Sequence, residues 1–203
     1  MAHFLQQCRH WVFDMDGTLT NAVHDFQHIR RQLDIPPDAD ILDHLDNLPP
    51  AQAAAAHQWL LEHERKLAEQ STAAPGAVAL VNYLHERGDR LAILTRNARE
   101  LAQVTLRAIG LQQCFAPADI LGRNEAAPKP SPDGMLHIAR NWQVCSSRLC
   151  MVGDFHFDLR SARSAGSRAV LVNLPNNPWP ELTDHHAPDC NALLDSLSQT
   201  RPH

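Results

Sequence analysis

Short apolar runs alternate with longer amphipathic stretches along most of this chain. Trp11-Val12-Phe13 is too short for a helix and rich in β-branched and aromatic residues, so it predicts a buried strand. Leu91-Ala92-Ile93-Leu94-Thr95 and Leu149-Cys150-Met151-Val152-Gly153 predict two more. Ala169-Val170-Leu171-Val172 predicts another, and Ile120-Leu121 a short one. Between these runs the apolar period lengthens to that of a helix. Val78 to Arg87 predicts a helix stopped at Gly88. Asn97 with Glu100 three residues on resembles a capping box, opening a helix that carries Leu101, Val104 and Ala108. Ser131-Pro132 marks another helix start. A helix from about Asp158 to Ala165 ends at Gly166, and the last runs from Asn191 to Leu197. Pro175 to Pro180 reads as a loop.

One block breaks the alternation. Between the first two strands, residues 20–74 contain only helical patterns. Ala22, Phe26, Ile29 and Leu33 place a helix over Asn21 to Leu33, ended by Pro36-Pro37. Asp38 to Asn47 predicts a short helix using Ile41, Leu42 and Leu45. Ala51 to Gln70 is alanine-rich, with Trp59, Leu60 and Leu67 available to pack, and spans roughly 30 Å at ~1.5 Å per residue. Strands alternating with helices indicate a parallel sheet covered on both faces. The expected architecture is therefore a doubly wound, Rossmann-like α/β core, residues 1–19 and 75–203, with a small helical insertion over 20–74. Hinges are expected near Thr20 and Ala74-Pro75.

With 203 residues, the chain can bury a sizeable core. No apolar run approaches the ~20 residues of a membrane span, and the first ten residues hold no apolar signal-peptide centre. Cytoplasmic residence is the expectation. The net charge is −5 with the basic residues dispersed, which argues against nucleic acid as a partner. The cysteine count is odd, five, with no Cys-x-x-Cys, so neither a disulfide framework nor a zinc ribbon is indicated. Histidines are numerous but scattered. His24/His28 and His185-His186 lack a third ligand at a recognisable spacing and are expected at the surface, as are His57 and His63. Trp59 is expected to pack within the insertion.

The polar residues at the strand ends carry the chemistry. Asp14 and Asp16 follow the first strand, Thr95 ends the second, and Asp154 follows Gly153. Parallel strands place all of these at one sheet edge, where ligands bind in open α/β folds. Unpaired buried carboxylates are expensive as pure structure. Lys129 sits between Pro128 and Pro130, whose rings fix the local backbone. Carboxylates, a hydroxyl and an ammonium suit phosphoryl transfer with Mg²⁺, because carboxylate oxygens are hard ligands and the phosphate charge must be offset. On this reading Asp14 attacks phosphorus and Asp16 handles protons.

Asp14-Met15-Asp16-Gly17-Thr18, Thr95, Lys129-Pro130-x-Pro132 and Gly153-Asp154-x-x-x-Asp158 resemble, in order, the four motifs of the haloacid dehalogenase superfamily. Pro75-Gly76 and Asp158–Gly166 resemble segments of its phosphoglycolate-phosphatase-like branch. The resemblance covers about residues 9–194. It implies a haloacid dehalogenase-type core with residues 20–74 as the cap. It further implies a Mg²⁺-dependent phosphatase acting on a small phosphorylated metabolite, of phosphoglycolate or sugar-phosphate type, through an aspartyl phosphate. Asp14 is implied as nucleophile and Asp16 as acid/base. Thr95, Lys129 and, beside them, Arg96 are assigned to phosphate binding. Metal ligation falls to Asp14, Asp154 and Asp16, the last through its backbone carbonyl, with Asp158 as an outer partner of metal-bound water.

Departures from the pattern bear on the alternatives. Asn21-Ala22 stands where relatives often have Asp-Ser or Asp-Thr, which removes a hydroxyl associated with sugar-phosphate mutases of the superfamily. Arg96 intervenes before Asn97 where relatives often have Asn directly. Asp158 also stands where it can cap the following helix. A non-catalytic phospho-aspartate switch uses similar residues, but places its acidic pair upstream of the phosphorylated aspartate and has no helical cap. A dehalogenase is disfavoured by the second aspartate, Asp16.

Overall fold

The computed structural model describes residues 3–21 and 26–198. A short helix α1 (His3–Gln7) leads into β1 (His10–Phe13). Three helices follow: α2 (Phe26–Gln32), α3 (Ile41–Asp46) and α4 (Pro50–Glu69). The chain then alternates through α5 (Ala77–Glu86), β2 (Arg90–Leu94), α6 (Arg99–Ala108), β3 (Ile120–Leu121), α7 (Asp133–Trp142) and β4 (Leu149–Gly153). It ends with α8 (His156–Ser164), β5 (Arg168–Leu171), β6 (His185–His186) and α9 (Cys190–Ser198). No helix among the described residues is long and apolar enough to cross a membrane.

All six strands are parallel, in the order β3-β2-β1-β4-β5-β6. Successive strand residues point to opposite faces, and both faces are covered. Trp11, Phe13, Leu91, Ile93, Cys150 and Val152 pack on one side beneath α1, α5, α6 and α9. Val12, Ala92, Leu94, Met151, Ala169 and Leu171 pack on the other beneath α7 and α8. That double burial is why the strands read as unbroken apolar runs. The chain winds outward from β1 in both directions, so the crevice beyond the carboxyl ends of β1 and β4 is the topological switch point.

The sequence pattern misses two elements. Helix α1 is too short to show a periodic stripe. His185 and His186 are half-buried in the edge strand β6, paired with Val170 and Leu171, rather than scattered at the surface. A two-residue strand without apolar side chains is recognisable only through its neighbour. The first insertion helix begins, as described, at Phe26; Ala22 to Asp25, including His24, lie outside the described residues.

The insertion has its own small core of Ile29, Ile35, Leu45 and Leu60, against which Trp59 packs. His57 and His63 are half-buried, not exposed: His57 meets Asp46 at 3.1 Å and His63 stacks on Trp59. The chain enters and leaves this block side by side. Asn21 N–H donates to the Thr72 carbonyl and Ala74 N–H to the Leu19 carbonyl, while Thr20 bridges Ala73. Asn21 Nδ2 adds bonds to Thr72 Oγ1 and the Ala73 carbonyl. Two adjacent single strands are thus the backbone link between the block and the sheet.

Candidate active site

The ladder extends past β1, because Asp14 N–H donates to the Val152 carbonyl at 3.0 Å. This projects Asp14 beyond the sheet next to Asp154, which follows β4. The chain then turns tightly at Gly17, whose φ is +84°. A Cβ there would lie 2.4 Å from Asp154 Oδ2, so the close approach of loop and carboxylate requires glycine. Thr18 Oγ1 donates to Asp154 Oδ1 at 2.8 Å. Asn173, just past β5, donates from Nδ2 to the carbonyls of Gly17 and Thr18 at 2.7 and 2.8 Å. Sequence reading gives Asn173 no role, since its partners lie far away in the chain.

Lys129 is the buried cation of the site. Its Nζ donates to Asp14 Oδ1 at 2.5 Å and to Asp158 Oδ1 at 2.6 Å. The second contact gives Asp158 a hydrogen bond to the buried lysine, a partner the motif reading does not name. Asp158 also accepts Phe155 N–H on Oδ2, so it caps α8 while holding the lysine. Gly153 makes room for it: a Cβ there would lie 2.3 Å from the Asp158 Cβ. The lysine loop is anchored from α8, where Ser161 Oγ donates to the Ser131 carbonyl at 2.7 Å.

Asp14, Asp154 and Asp158 offer oxygens that all lie within 4.8 Å of one another. One ammonium does not neutralise three such carboxylates. Burial, reinforced by repulsion from Asp158, Asp154 and Asp16, pushes Asp14 up to about 8 despite Lys129. Burial and then Asp158 push Asp154 up to about 6, against the Thr18 hydrogen bond. Burial also works against the Lys129 ammonium, but Asp14 and Asp158 outweigh it and hold it above the ordinary lysine value. A cluster of hard oxygens short of positive charge fits a small divalent cation. The Asp16 side chain is not part of that trio.

Asp16 instead meets Asn97, whose Nδ2 donates to Asp16 Oδ2 at 2.7 Å. The capping box expected at Asn97 and Glu100 does not form. Ala98 occupies the cap position of α6 with no side-chain cap, and Asn97 is turned into the site. Thr95 is buried, and its Oγ1 accepts Asn97 N–H at 3.1 Å. Arg96, grouped with the phosphate binders from sequence, is directed elsewhere. Its Nη2 donates to Asp40 Oδ2 of the insertion at 2.6 Å, and its guanidinium lies over the Phe157 ring. That pairing outweighs partial burial and lowers the Asp40 carboxyl below its ordinary value. Asp40 is meanwhile the N-cap of α3. His156 stacks on Phe155 and meets the Trp179 ring edge-on.

A cavity of about 590 Å³ lies over these groups. Its floor is Asp14, Asp16, Thr95, Asn97, Lys129, Asp154 and Asp158. Its roof comes from the insertion, including Ile29, Leu42, Leu60 and Glu64. Glu64 on α4 pairs with Arg123, from the loop after β3, at 3.1 Å. The small insertion therefore covers the carboxylates, and charged pairs at Arg96–Asp40 and Arg123–Glu64 join the two sides.

Comparison with known proteins places these observations among enzymes. A family model described as haloacid dehalogenase-like hydrolase matches residues 8–166. The phosphoglycolate phosphatase of Nitrosospira multiformis is 31% identical over 167 residues, covering 81% of this chain and 66% of that protein. Hexitol phosphatase A of Escherichia coli is 27% identical over 211 residues, covering 95% and 93%. In fold, the chain superimposes on the crystal structure of a hydrolase from Pseudomonas syringae with a TM-score of 0.77 at 23% identity, covering 96% of this chain and all of that one.

Proposed function

Since the chain belongs to the haloacid dehalogenase-like hydrolases and is a phosphoric monoester hydrolase, we propose that it is a Mg²⁺-dependent phosphatase working through an aspartyl phosphate on Asp14. The observation that carries this reading is the buried Asp14–Lys129–Asp158 arrangement beside Asp154, with Asp16 on a separate hydrogen bond to Asn97. Lys129 binds Asp14 through Oδ1 and leaves Oδ2 for attack on phosphorus. As the new P–O bond forms, the ester P–O bond breaks and Asp16 supplies a proton to the leaving oxygen. Asp16 then takes a proton from water, which attacks the phosphoryl group and releases phosphate, restoring Asp14. Asn97 holds Asp16 in one orientation through both steps. Thr95 and Lys129 bind the phosphoryl oxygens. The side chains of Asp14 and Asp154, with the Asp16 carbonyl, would hold Mg²⁺, and Asp158 would support it from beside Lys129. When bound, the ion supplies positive charge that offsets repulsion between Asp14 and the phosphate dianion.

The substrate is a small phosphorylated metabolite that fits beneath the insertion. A non-catalytic switch lacks such a roof, and membership among the hydrolases sets that alternative aside. The test is phosphate release from an aryl phosphate, with and without Mg²⁺. Asp14→Asn is expected to abolish turnover without loss of fold. Asp16→Ala is expected to stall with Asp14 phosphorylated when the leaving group is good, detectable as a mass increase of one phosphoryl group. Wild-type turnover by Asp14→Asn rejects the nucleophile assignment.

A further inference from the structure

The cavity is larger than the phosphate requires, and the part beyond the catalytic floor has a distinctive charge pattern. At about 590 Å³ it lies within the ~300–1,000 Å³ usual for small-molecule sites. A two-carbon phosphoester would leave most of it unfilled. Its walls include Ile29, Ile41, Leu42 and Leu60, with Phe155 and Phe157 on the sheet side. Among these apolar surfaces stand three arginines, Arg30, Arg96 and Arg123, and three carboxylates, Asp38, Asp40 and Glu64.

Each arginine already has an acceptor. Arg96 is on Asp40 and Arg123 on Glu64. Arg30 Nη2 donates to the Ala39 carbonyl at 3.0 Å. The three arginines are matched by three carboxylates, so the walls beyond the floor carry no net positive charge to receive a second anion such as a substrate carboxylate. Glu64 is the decisive group: it is buried, 7% exposed, on the roof helix α4. A carboxylate beside it would bring two negative charges together where water is scarce, a costly arrangement. Hydroxyl groups fit instead, because each both donates and accepts. A buried Glu–Arg pair presents acceptor and donor side by side. Arg30 adds a buried Nε with no hydrogen-bond partner among the described residues. The apolar and aromatic walls suit the carbon face of a hydroxylated chain.

Building on the phosphatase reading, we propose that Glu64 and Arg123 are specificity-determining residues that select a phosphorylated polyol or sugar over a phosphorylated carboxylic acid. The pair spans the closure, Glu64 from the insertion and Arg123 from the core, so distal hydroxyls are read only when both sides are in place. This distinguishes the substrate from phosphoglycolate, whose distal group is a carboxylate.

The test compares kcat/KM for glucitol 6-phosphate, glucose 6-phosphate, 2-phosphoglycolate and an aryl phosphate, with Mg²⁺, for the wild-type chain and Glu64→Gln. The wild type is expected to favour at least one of the hydroxylated substrates over 2-phosphoglycolate by about tenfold or more, on the scale of one charge-assisted hydrogen bond gained and one repulsion avoided. In Glu64→Gln that ratio is expected to fall about tenfold, chiefly through a higher KM for the hydroxylated substrate. Preference of the wild type for 2-phosphoglycolate overturns the proposal and leaves the phosphatase reading standing. So does a ratio unchanged by Glu64→Gln, since a purely structural role would slow all substrates alike. Absence of turnover on every phosphoester, the aryl phosphate included, overturns the phosphatase reading itself. The wild-type ratio is decisive whether or not the variant folds.

Discussion

Lys129→Met is the perturbation that most directly tests the electrostatics of the site. Methionine keeps much of the side-chain volume and removes the charge. The ammonium lies 2.5 Å from Asp14 and 2.6 Å from Asp158, and the lysine and Asp158 side chains are each 3% exposed. At an effective dielectric of about 20, each contact is worth roughly 6 kcal/mol of Coulomb attraction before desolvation is charged against it. Desolvation takes back much of that, and breaking a buried pair from one side typically costs about 3–5 kcal/mol. With a urea m-value of roughly 2 kcal/mol/M, the unfolding midpoint of the metal-free protein should fall by about 1.5–2.5 M. The loss should depend on pH. Asp14 is raised in the folded protein to about 8 from an ordinary 3.8, so its contribution is fully present below the unfolded value and is lost as pH rises through the folded one. Removing Lys129 removes the influence opposing burial and carries Asp14 further up. Below about pH 8 Asp14 is protonated in both proteins, and above it only the wild type, with Lys129 alongside, can ionise it cheaply, so the variant should be penalised more at about pH 9.5 than at about pH 7. Urea titrations at the two pH values, without metal, measure this. A midpoint within about 0.5 M of wild type at the higher pH, or an equal loss at both, would refute the picture of a lysine neutralising buried carboxylates.

Two other outcomes follow from the same geometry. Mg²⁺ affinity should rise between pH 6 and 8 and level off above, by up to about tenfold per unit for each proton released, because a cation favours the charged forms of Asp14, raised to about 8, and Asp154, raised to about 6; calorimetry in two buffers of different ionisation enthalpy would detect the released protons, and pH-independent affinity without proton release would contradict it. Asn97→Ala should lower kcat on an aryl phosphate by about tenfold with little change in KM, since it removes the 2.7 Å bond that orients Asp16 but no group on the phosphate; steady-state kinetics would show this, and an unchanged kcat would deny Asn97 a positioning role.

What the sequence determined by itself was whatever repeats at short range. The apolar runs at Trp11–Phe13, Leu91–Leu94 and Leu149–Gly153 are strands because both faces of a parallel sheet must be apolar, and that requirement is written in consecutive residues. Asp14, Thr95, Lys129 and Asp154 were legible for a related reason. Each follows or adjoins an element whose type is locally determined, and parallel topology gathers the strand ends at one edge. Tertiary structure alone decided the partnerships. Asn97 has the local signature of a helix cap, yet Asp16, 81 positions away, claims its side chain. Arg96 looks like an anion ligand beside Thr95, yet Asp40 of the insertion claims it. Asp158 has the local position of a helix cap, and only the fold brings it to share Lys129 with Asp14. Glu64 and Arg123 carry no motif, and only closure of the insertion over the sheet brings them together. Polar side chains have reach and several acceptable partners, so their choice depends on which groups the fold buries together and deprives of water. Apolar periodicity needs no such knowledge, since it records only which side of an element faces inward.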